Sequence, residues 1–290
     1  MALYTLFSPL HRLMQTAEQI FHKPAGKGSE ASMPDENYLS IQGVSKQFDS
    51  GGNALSAIQD VSFDIPRGAF VSILGPSGCG KSTLFNIIAG LLPPTAGDVR
   101  LDDTSIIGKA GQVGYMLQKD LLLPWRTIED NITLGQTLRG TPRRKARSAA
   151  APLIARCGLA HFEKKKPHQL SGGMRQRAAL LRTLLTGKDV LLLDEPFGAL
   201  DAITRLQLQM TLIDVWQETR KTILFVTHDV EEALLLSDEI IVLTERPGRV
   251  RARLPVTLPR PRTPDMLADP ELMQLKAQLM TLLLREVSAS

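Results

Sequence analysis

Apolar residues in this chain occur in two kinds of pattern: short continuous runs, and longer stretches with the spacing of an amphipathic helix. The runs GAFVSIL (68–74), DVLLLDEP (189–196) and TILFVTHD (222–229) are almost uninterrupted, which is typical of buried strands in a parallel sheet. Helical spacing begins at Lys81, after the first run, and it also covers residues 201–220, between the second and third runs. This alternation predicts an α/β core with parallel strands.

Weaker patterns predict the elements around this core. Residues 38–48 and 56–66 have the composition of two strands, joined by the turn DSGGN (49–53). Residues 239–256 predict a second hairpin. The other predicted elements are a strand at 112–118, a mainly helical stretch over 126–160 that is broken at Gly140 and Pro142, a helix at 171–185 and a final amphipathic helix at about 269–287.

The composition is that of a globular protein and narrows the classes of partner. Of the 290 residues, 43% are hydrophobic and 22% are charged, and no apolar run reaches the roughly 18 residues that a membrane-spanning helix requires. The net charge of +4 is small, the basic groups at 143–147 and 163–168 are short, and only 5% of residues are aromatic. Nucleic-acid binding is therefore not expected. Two cysteines, Cys79 and Cys157, are too few for a disulfide framework or a metal cluster and fit a reducing compartment.

The N-terminal residues carry a separate pattern. Residues 1–21 lack the basic start and continuous apolar core of a secretory signal, but their apolar residues recur at roughly helical spacing. Such a helix fits either a protein partner or a membrane surface, and the sequence leaves both open. Residues 22–37 have the composition of a linker.

The stretch GPSGCGKS (75–82) lies between a predicted buried strand and a predicted helix. It fits the pattern G-x-x-x-x-G-K-[ST], and this context distinguishes it from an ordinary glycine turn with a surface lysine. Glycines let the backbone curl until N–H groups point at phosphate oxygens, and the helix N-terminus adds about half a positive charge. Lys81 can then reach the β- and γ-phosphates, and Ser82 can ligate Mg²⁺. The predicted nucleotide-binding residues of this phosphate cradle are Gly75, Pro76, Ser77, Gly78, Cys79, Gly80, Lys81, Ser82 and Thr83.

Two adjacent carboxylates end the buried run VLLLDE (190–195). Asp194 and Glu195 would repel each other in an ordinary core, because no basic residue is close to them in sequence. A metal ion and a nucleotide explain the pair better. Asp194 is predicted to hold Mg²⁺ directly or through water, and Glu195 to polarise an attacking water as general base.

The stretch LSGGMRQR (170–177) predicts a second anion site. Ser171, Gly172 and Gly173 would place a hydroxyl and free N–H groups at a helix N-terminus, although a serine cap followed by flexible glycines is the simpler interpretation. The phosphate cradle of one chain and the Ser-Gly-Gly of another would form a single phosphate site if two copies of the chain pair head to tail. Each phosphate cradle would then face the partner's Ser-Gly-Gly.

Six motifs in this order and spacing resemble those of the ATP-binding-cassette (ABC) ATPase family, over about residues 38–258. The motifs are GPSGCGKS, Gln118 in YMLQKD, LSGGMRQR, VLLLDE, GALD (198–201) and VTHD (226–229). The resemblance implies an α/β P-loop NTPase cassette with a central, mostly parallel sheet, an antiparallel β subdomain and a helical subdomain that carries the signature motif. It also implies three parts: an N-terminal extension and linker (1–37), the ABC ATPase domain (38–258) with a helical insertion at about 119–185, and a C-terminal extended segment and amphipathic helix (259–290).

The resemblance also assigns roles to individual side chains. Phe48 would stack on the adenine, Gln118 would sense the γ-phosphate and Mg²⁺, and His228 would hydrogen-bond the γ-phosphate. Asp201 would support the interface of a homodimer. For the cofactors ATP and Mg²⁺, the implied catalytic set is Glu195, His228 and Gln118, and the implied metal set is Ser82, Gln118 and Asp194.

A narrower resemblance rests on residues 117–135 and on RPGRV (246–250). These stretches are similar to import ATPases for nitrate, sulfonates and taurine, and for hydroxymethylpyrimidine-type thiamine precursors. In such proteins Leu122, Leu123 and Trp125 would line a groove for a short coupling helix of the membrane permease. The alternative for Trp125 is a place in the core.

The implied function is that of the ATP-hydrolysing, energy-coupling subunit of an importer for a small anionic or heterocyclic solute. Its expected partners are a second copy of the chain, integral-membrane permease subunits and a periplasmic or extracytoplasmic solute-binding protein. The expected location is peripheral, on the cytoplasmic face of the inner membrane. The alternative is a soluble ABC ATPase of translation or DNA repair. Translation factors of this family usually carry two cassettes in one chain. Its DNA-repair proteins carry a long coiled coil between the phosphate cradle and LSGG, whereas in this chain only about 90 residues without sustained heptads separate the two motifs.

Overall fold

The computed structural model describes residues 38–50, 53–260 and 262–287. The helix predicted in residues 1–21 and the linker at 22–37 lie outside the described residues, and the domain limits given above stay predictions. The strands are β1 (Leu39–Ser50), β2 (Asn53–Ile65), β3 (Phe70–Leu74), β4 (Ala96–Leu101), β5 (Thr104–Ser105), β6 (Gly114–Met116), β7 (Val190–Asp194), β8 (Thr222–Val226), β9 (Glu239–Leu243) and β10 (Val250–Pro255). The helices are α1 (Lys81–Ile88), α2 (Ile128–Ile132), α3 (Leu134–Leu138), α4 (Arg143–Arg156), α5 (Gly172–Leu184), α6 (Ala202–Thr219), α7 (Val230–Leu236) and α8 (Pro270–Val287), with 3₁₀ turns at Pro167–Gln169 and Pro264–Ala268.

The central sheet has the strand order β10-β9-β3-β8-β7-β6. All neighbouring strands in it are parallel except β10, which pairs antiparallel with β9. Every residue of β3, β7 and β8 is buried, as their continuous apolar runs predict. The rings of Trp216 and Phe225 pack against Phe70, with centroids 6.1 and 5.8 Å away, and help to fill the space between this sheet and α6. The prediction of a mostly parallel sheet is confirmed.

The register of this sheet gathers three chain segments at one edge. Val226 of β8 pairs with Asp194 of β7 on one side and with Ile73 of β3 on the other. The phosphate cradle (75–82) follows β3, Glu195 follows β7, and the switch segment (226–229) follows β8. Because the strands are parallel, these segments leave the sheet from the same side, which is where ligands bind in such sheets.

A smaller antiparallel sheet has the order β2-β1-β4-β5. The hairpin of β1 and β2 is predicted from the sequence, and the structure confirms it. Strands β4 and β5 are not predicted. Only Val99 among the six residues of β4 is fully buried, so this strand carries almost no hydrophobic pattern.

The helices α2 to α5 form a mainly helical insertion between strands β6 and β7 of the central sheet. Gly140, with φ of 88°, and Pro142 separate α3 from α4, as predicted. Residues 143–145 at the start of α4 are exposed, so these three basic residues lie on a solvated helix face. Among the described helices, none is long and apolar enough to cross a bilayer.

The C-terminal helix α8 packs onto α7 and onto strand β9 of the central sheet. Leu272 and Leu279 are buried in one apolar cluster with Val230 and Leu234 of α7. Helix α8 agrees with the prediction, whereas α7 is not predicted. In α7 every residue except Glu231 is buried, so its sequence lacks the polar face from which a helix is recognised.

Candidate active site

The phosphate cradle connects the end of β3 to the start of α1. Its lysine folds back over the loop: Lys81 Nζ donates hydrogen bonds to the main-chain oxygens of Gly75, at 2.7 Å, and Pro76, at 2.8 Å. The residue is only 8% exposed. A positive charge is therefore held against the inside of the loop and away from bulk water.

The start of α1 is shaped to accept an anion. Gly80 is the N-cap residue, with φ of 104°, and in the described structure no side chain caps this helix end. A Cβ at position 80 would lie 2.4 Å from Ile58 Cγ2 and 2.8 Å from the Ala57 oxygen, so only glycine fits. The N–H groups of the first turn, the helix dipole and Lys81 together suit a phosphate chain.

A hydroxyl and a carboxylate meet beside the cradle. Ser82 Oγ donates a hydrogen bond of 2.9 Å to Oδ2 of Asp194, which is 4% exposed at the end of β7. Burial raises the pKa of Asp194, and the charge of Glu195 adds to this, while the Ser82 hydrogen bond and the Lys81 charge oppose it. Mg²⁺ is commonly bound by one or two carboxylates together with waters and substrate phosphates, so this pair fits that ion. Since the described residues contain no group of three or more His, Cys, Asp or Glu placed to hold a metal, the other ligands would come from a nucleotide, from water or from an uncharged side chain.

The three side chains predicted to be catalytic meet at Glu195. Gln118 Nε2 donates to Glu195 Oε2 at 3.2 Å, and Nδ1 of His228 lies 3.5 Å from Oε1 of the same carboxylate. Glu195 has φ of 48°, and its N–H is hydrogen-bonded to the Val226 oxygen at 3.0 Å. The edge of the sheet therefore fixes the backbone that presents this carboxylate. A carboxylate held in this way is suited to accept a proton from water.

The signature segment (170–177) forms the start of α5. Ser171 Oγ accepts a hydrogen bond of 3.3 Å from the Met174 N–H and caps the helix. A Cβ on Gly173 would lie 2.9 Å from Leu200 Cδ2, so the signature segment packs closely on the D-loop (198–201). Within the described residues, no hydrogen bond joins 171–173 to the phosphate cradle. Within one chain, the predicted second anion site is thus not hydrogen-bonded to the first.

The D-loop ends at Asp201, which caps α6. Its Oδ1 accepts a hydrogen bond of 3.0 Å from the Thr204 N–H. Backbone and side-chain hydrogen bonds from Thr204 lower the pKa of Asp201. The carboxylate is therefore ionised near neutral pH.

Comparison with known proteins identifies the family. A family model described as ABC transporter matches residues 58–198. The chain is 44% identical over 237 residues to the taurine import ATP-binding protein TauB of Rhizobium johnstonii, which covers 80% of this chain and 90% of that protein. This chain belongs to the ABC transporter family.

Two further similarities agree with this. An uncharacterized ABC transporter ATP-binding protein of Methanocaldococcus jannaschii is 41% identical over 252 residues, covering 87% of this chain and 93% of that protein. The solved structure of a dimeric ATP-binding cassette in a post-hydrolysis state, bound to ADP and Pi, has a TM-score of 0.69 and 31% identity, covering 75% of this chain and 98% of that one. The predicted ABC cassette fold is confirmed, and the chain is an ABC-type transport ATPase.

Two aromatic side chains of the ABC cassette are exposed, as binding roles require. Phe48 is 38% exposed on β1, with Lys46 Nζ 5.3 Å from its ring centroid. Trp125 is 70% exposed, which excludes a place in the core. Leu122, by contrast, is 7% exposed and belongs to the core, so the prediction that it lines a docking groove is wrong; Leu121, 53% exposed, is the accessible neighbour.

Gln176 is a site residue that the sequence analysis missed. Its Nε2 donates to the main-chain oxygen of Glu195 at 3.0 Å, and its Oε1 accepts from the Ala199 N–H at 2.9 Å. It therefore holds both the backbone of Glu195 and the D-loop from one buried position in α5. A polar residue between apolar neighbours of a helix is the signal from which it could have been found.

The motif RPGRV contacts the phosphate cradle directly. Arg246 Nε donates to the Gly78 oxygen at 3.1 Å. Gly248 N–H donates to the Ala57 oxygen at 3.0 Å, and a Cβ on Gly248 would lie 2.1 Å from the Cys79 oxygen. The turn between β9 and β10 thus supports the outer side of the cradle.

Proposed function

We propose that this chain is the ATP-hydrolysing, energy-coupling subunit of an importer for a small anionic solute of the taurine or sulfonate type. The observation that carries the proposal is the meeting of Gln118 and His228 at the carboxylate of Glu195, beside the phosphate cradle. The taurine import relative favours the sulfonate class over the nitrate and thiamine-precursor classes that the sequence resemblance also implies.

Nucleotide binding is the first step of the proposal. Lys81 and the N–H groups of the phosphate cradle would bind the β- and γ-phosphates, and the ring of Phe48 would stack on the adenine. The Lys81 ammonium already donates to two carbonyl oxygens, so it would exchange these for phosphate oxygens with little reorganisation. Its burial supports tight binding, because attraction between opposite charges is stronger where water is excluded.

Ser82 and Asp194 are the proposed magnesium ligands, with Gln118 as a third. Bound Mg²⁺ would neutralise charge that develops on the phosphates during their transfer to water. The 2.9 Å hydrogen bond between Ser82 and Asp194 supports this role, because it already holds the two oxygen ligands side by side.

Glu195 is the proposed general base. Its carboxylate accepts a proton from water as the water oxygen attacks the γ-phosphorus, and ADP leaves with the bridging oxygen. Gln118 and His228, which lie on either side of the carboxylate, would orient that water and the γ-phosphate. Gln176 would keep the backbone of Glu195 in place during the reaction.

A second copy of the chain would complete the site. Among the described residues, Ser171, Gly172 and Gly173 form no hydrogen bond with the chain's own cradle, and in a head-to-tail homodimer they would bind the γ-phosphate held by the partner. The capped Asp201 would lie at this interface. The dimeric cassette structure with ADP and Pi supports this arrangement by similarity.

The remaining proposed partners are an integral-membrane permease and an extracytoplasmic solute-binding protein. Trp125 and Leu121, 70% and 53% exposed, are the surface we propose for a coupling helix of the permease. The subunit would then lie on the cytoplasmic face of the membrane. A role in translation or DNA repair is not favoured, because the similar proteins are transport ATPases.

Glu195→Gln tests the proposed hydrolysis, because an amide cannot accept the proton. We expect kcat for ATP to fall about 10²–10⁴-fold, with ATP still bound and the chain retained as a dimer in size-exclusion chromatography with Mg-ATP. The control is Glu218→Gln, which changes an exposed carboxylate paired with Arg156 and should leave kcat unchanged. Turnover near that of the wild type in Glu195→Gln would refute the general base.

The solute class is tested separately, in vesicles that contain the chain with its permease. Taurine with the solute-binding protein should stimulate ATP hydrolysis and enter the vesicles, whereas nitrate should do neither. Stimulation by nitrate alone would refute the sulfonate class and leave the ATPase assignment standing.

A further inference from the structure

Arg205, one turn into α6, connects the D-loop to the switch segment. Its Nη2 donates a hydrogen bond of 3.2 Å to the main-chain oxygen of Leu200 in the D-loop. Its Nη1 lies 3.7 Å from Oδ2 of Asp229, the residue that caps α7 directly after His228. One guanidinium therefore contacts both segments within a single chain.

Glu232 continues this connection toward His228. It is 7% exposed, and its carboxylate accepts hydrogen bonds from Thr227 Oγ1 at 2.6 Å and from Gln209 Nε2 at 3.1 Å. Thr227 immediately precedes His228, and its Oγ1 also accepts a hydrogen bond from the Asp229 N–H at 3.0 Å. The backbone on both sides of His228 is thus held by hydrogen bonds that lead to a buried carboxylate, which also contacts α6.

The contact between Arg205 and Glu232 is incomplete in this structure. Arg205 Nε lies 3.9 Å from Oε1 of Glu232, and among the described residues this buried nitrogen has no hydrogen-bond partner. A shift of about 1 Å would bring the two atoms to hydrogen-bond distance. Since Arg205 also donates to the Leu200 oxygen, a displacement of the D-loop is one movement that would make this shift.

A small cavity places the pair next to the proposed catalytic residues. The cavity has a volume of about 10 Å³, close to the space of one water molecule, and its lining includes Glu195, His228, Arg205 and Glu232. The two carboxylates and the arginine therefore surround the same small space. Burial raises the pKa of Glu232, while its hydrogen bonds with Thr227 and Gln209 and the charge of Arg205 oppose this.

We infer that Arg205 and Glu232 are positioning residues that transmit the position of the D-loop to His228, so that the histidine is aligned only when the D-loop is in place. This inference rests on the proposed ATPase function. It assigns neither residue a contact with substrate. The proposed dimer interface includes Asp201 at the end of the D-loop. Contact with a second copy would therefore affect the alignment of His228 through Arg205 and Glu232.

The test is a double-mutant cycle between Arg205→Ala and His228→Ala in the full-length chain. Rates are measured as single-turnover conversion of bound ATP to ADP, which resolves slow hydrolysis. Loss of the charged hydrogen bond to Leu200 and of the positive charge beside Asp229 and Glu232 in Arg205→Ala should lower the rate about 10- to 100-fold, with the KM for ATP nearly unchanged. In the His228→Ala background the same substitution should have no further effect, because its route to the phosphate is already lost.

Two further variants separate positioning from folding. Glu232→Ala should lower the rate, and Glu232→Gln should restore most of it, since an amide can still accept from Gln209 and donate to Thr227. Arg156→Ala, which removes an arginine paired with Asp214 and Glu218 at the other end of α6, should leave the rate unchanged. The melting temperature of each variant confirms that it is folded.

Multiplicative effects of Arg205→Ala and His228→Ala would overturn the inference, as would equal rates for Glu232→Gln and Glu232→Ala. Failure of the wild-type chain to hydrolyse ATP, even with its permease, would instead overturn the proposed function on which the inference rests. The two failures are therefore distinguishable.

Discussion

Arg262 offers a demanding test of how the C-terminal segment is attached. It is 2% exposed, and no carboxylate accepts a hydrogen bond from it among the described residues. Instead its guanidinium donates to four main-chain oxygens: Leu234 at 3.2 Å, Ser237, Val256 at 2.8 Å and Leu258 at 2.9 and 3.1 Å. One side chain thus joins the end of α7 to the chain that leaves β10.

The substitution Arg262→Met keeps much of the aliphatic volume and removes all of these donors. Leaving four buried oxygens unpaired would cost about 1–3 kcal/mol each if no water reached them, and less where water enters. An opposing effect is relief of a buried charge: burial and the nearby charge of Arg260 lower the pKa of Arg262 to about 10. The unpaired oxygens outweigh this relief, and we expect a net loss of about 2–4 kcal/mol, or about 5–15 °C in melting temperature for a domain of this size.

The matched control is Arg253→Met on β10. Arg253 also pairs by two nitrogens, with Glu239 at 2.7 and 2.9 Å, but its side chain is 40% exposed. Such a pair is worth up to about 1 kcal/mol, so the expected change is about 2–4 °C. Thermal unfolding followed by circular dichroism measures both variants. Equal melting temperatures for Arg262→Met and the wild type, or an equal loss in both variants, would refute this reasoning.

Two further predictions concern the cradle and pH. Gly248→Ala should weaken ATP binding at least about tenfold, because its Cβ would lie 2.1 Å from the Cys79 oxygen and the cradle must move by about 1 Å. Titration calorimetry with Mg-ATP measures the dissociation constant. A value within twofold of the wild type would contradict this prediction. Burial raises the pKa of Glu232 in the folded chain, so ionisation of Glu232 removes stability as pH rises from its ordinary pKa of 4.5 through the folded value. The melting temperature of Glu232→Gln relative to the wild type should therefore be higher at pH 8 than at pH 5, and a difference independent of pH would exclude this effect.

The elements predicted well are those whose own residues carry the signal. The runs that form β3, β7 and β8 are continuous and apolar because both faces of these strands are buried, and each ends in a motif whose chemistry requires a particular residue type. Their parallel order then brings Lys81, Glu195 and His228 to one edge of the sheet. This much of the candidate site follows from local sequence and one rule of topology.

The parts that were missed depend on partners distant in sequence. Strand β4 is specified by its pairing with β1, and α7 by its burial between the sheet and α8, so neither shows a periodic pattern of its own. Gln176 and Arg205 have roles only because the fold places Glu195 and Glu232 opposite them. The only sequence signal of such a contact is a polar residue at a buried helical position. This signal does not identify the residue that is contacted.

The position of Gln176 bears on how a head-to-tail dimer would work. The helix α5 is capped by Ser171, which is proposed to bind the partner's nucleotide. Through Gln176 the same helix holds the main-chain oxygen of Glu195, which is proposed to act on the chain's own nucleotide. A nucleotide bound at one end of α5 would therefore be connected by a rigid helix to Glu195, the proposed general base of the other site. Hydrolysis at the two sites would then be coupled through the body of each subunit as well as across the interface, because only about one helical turn separates Gly172 from Gln176.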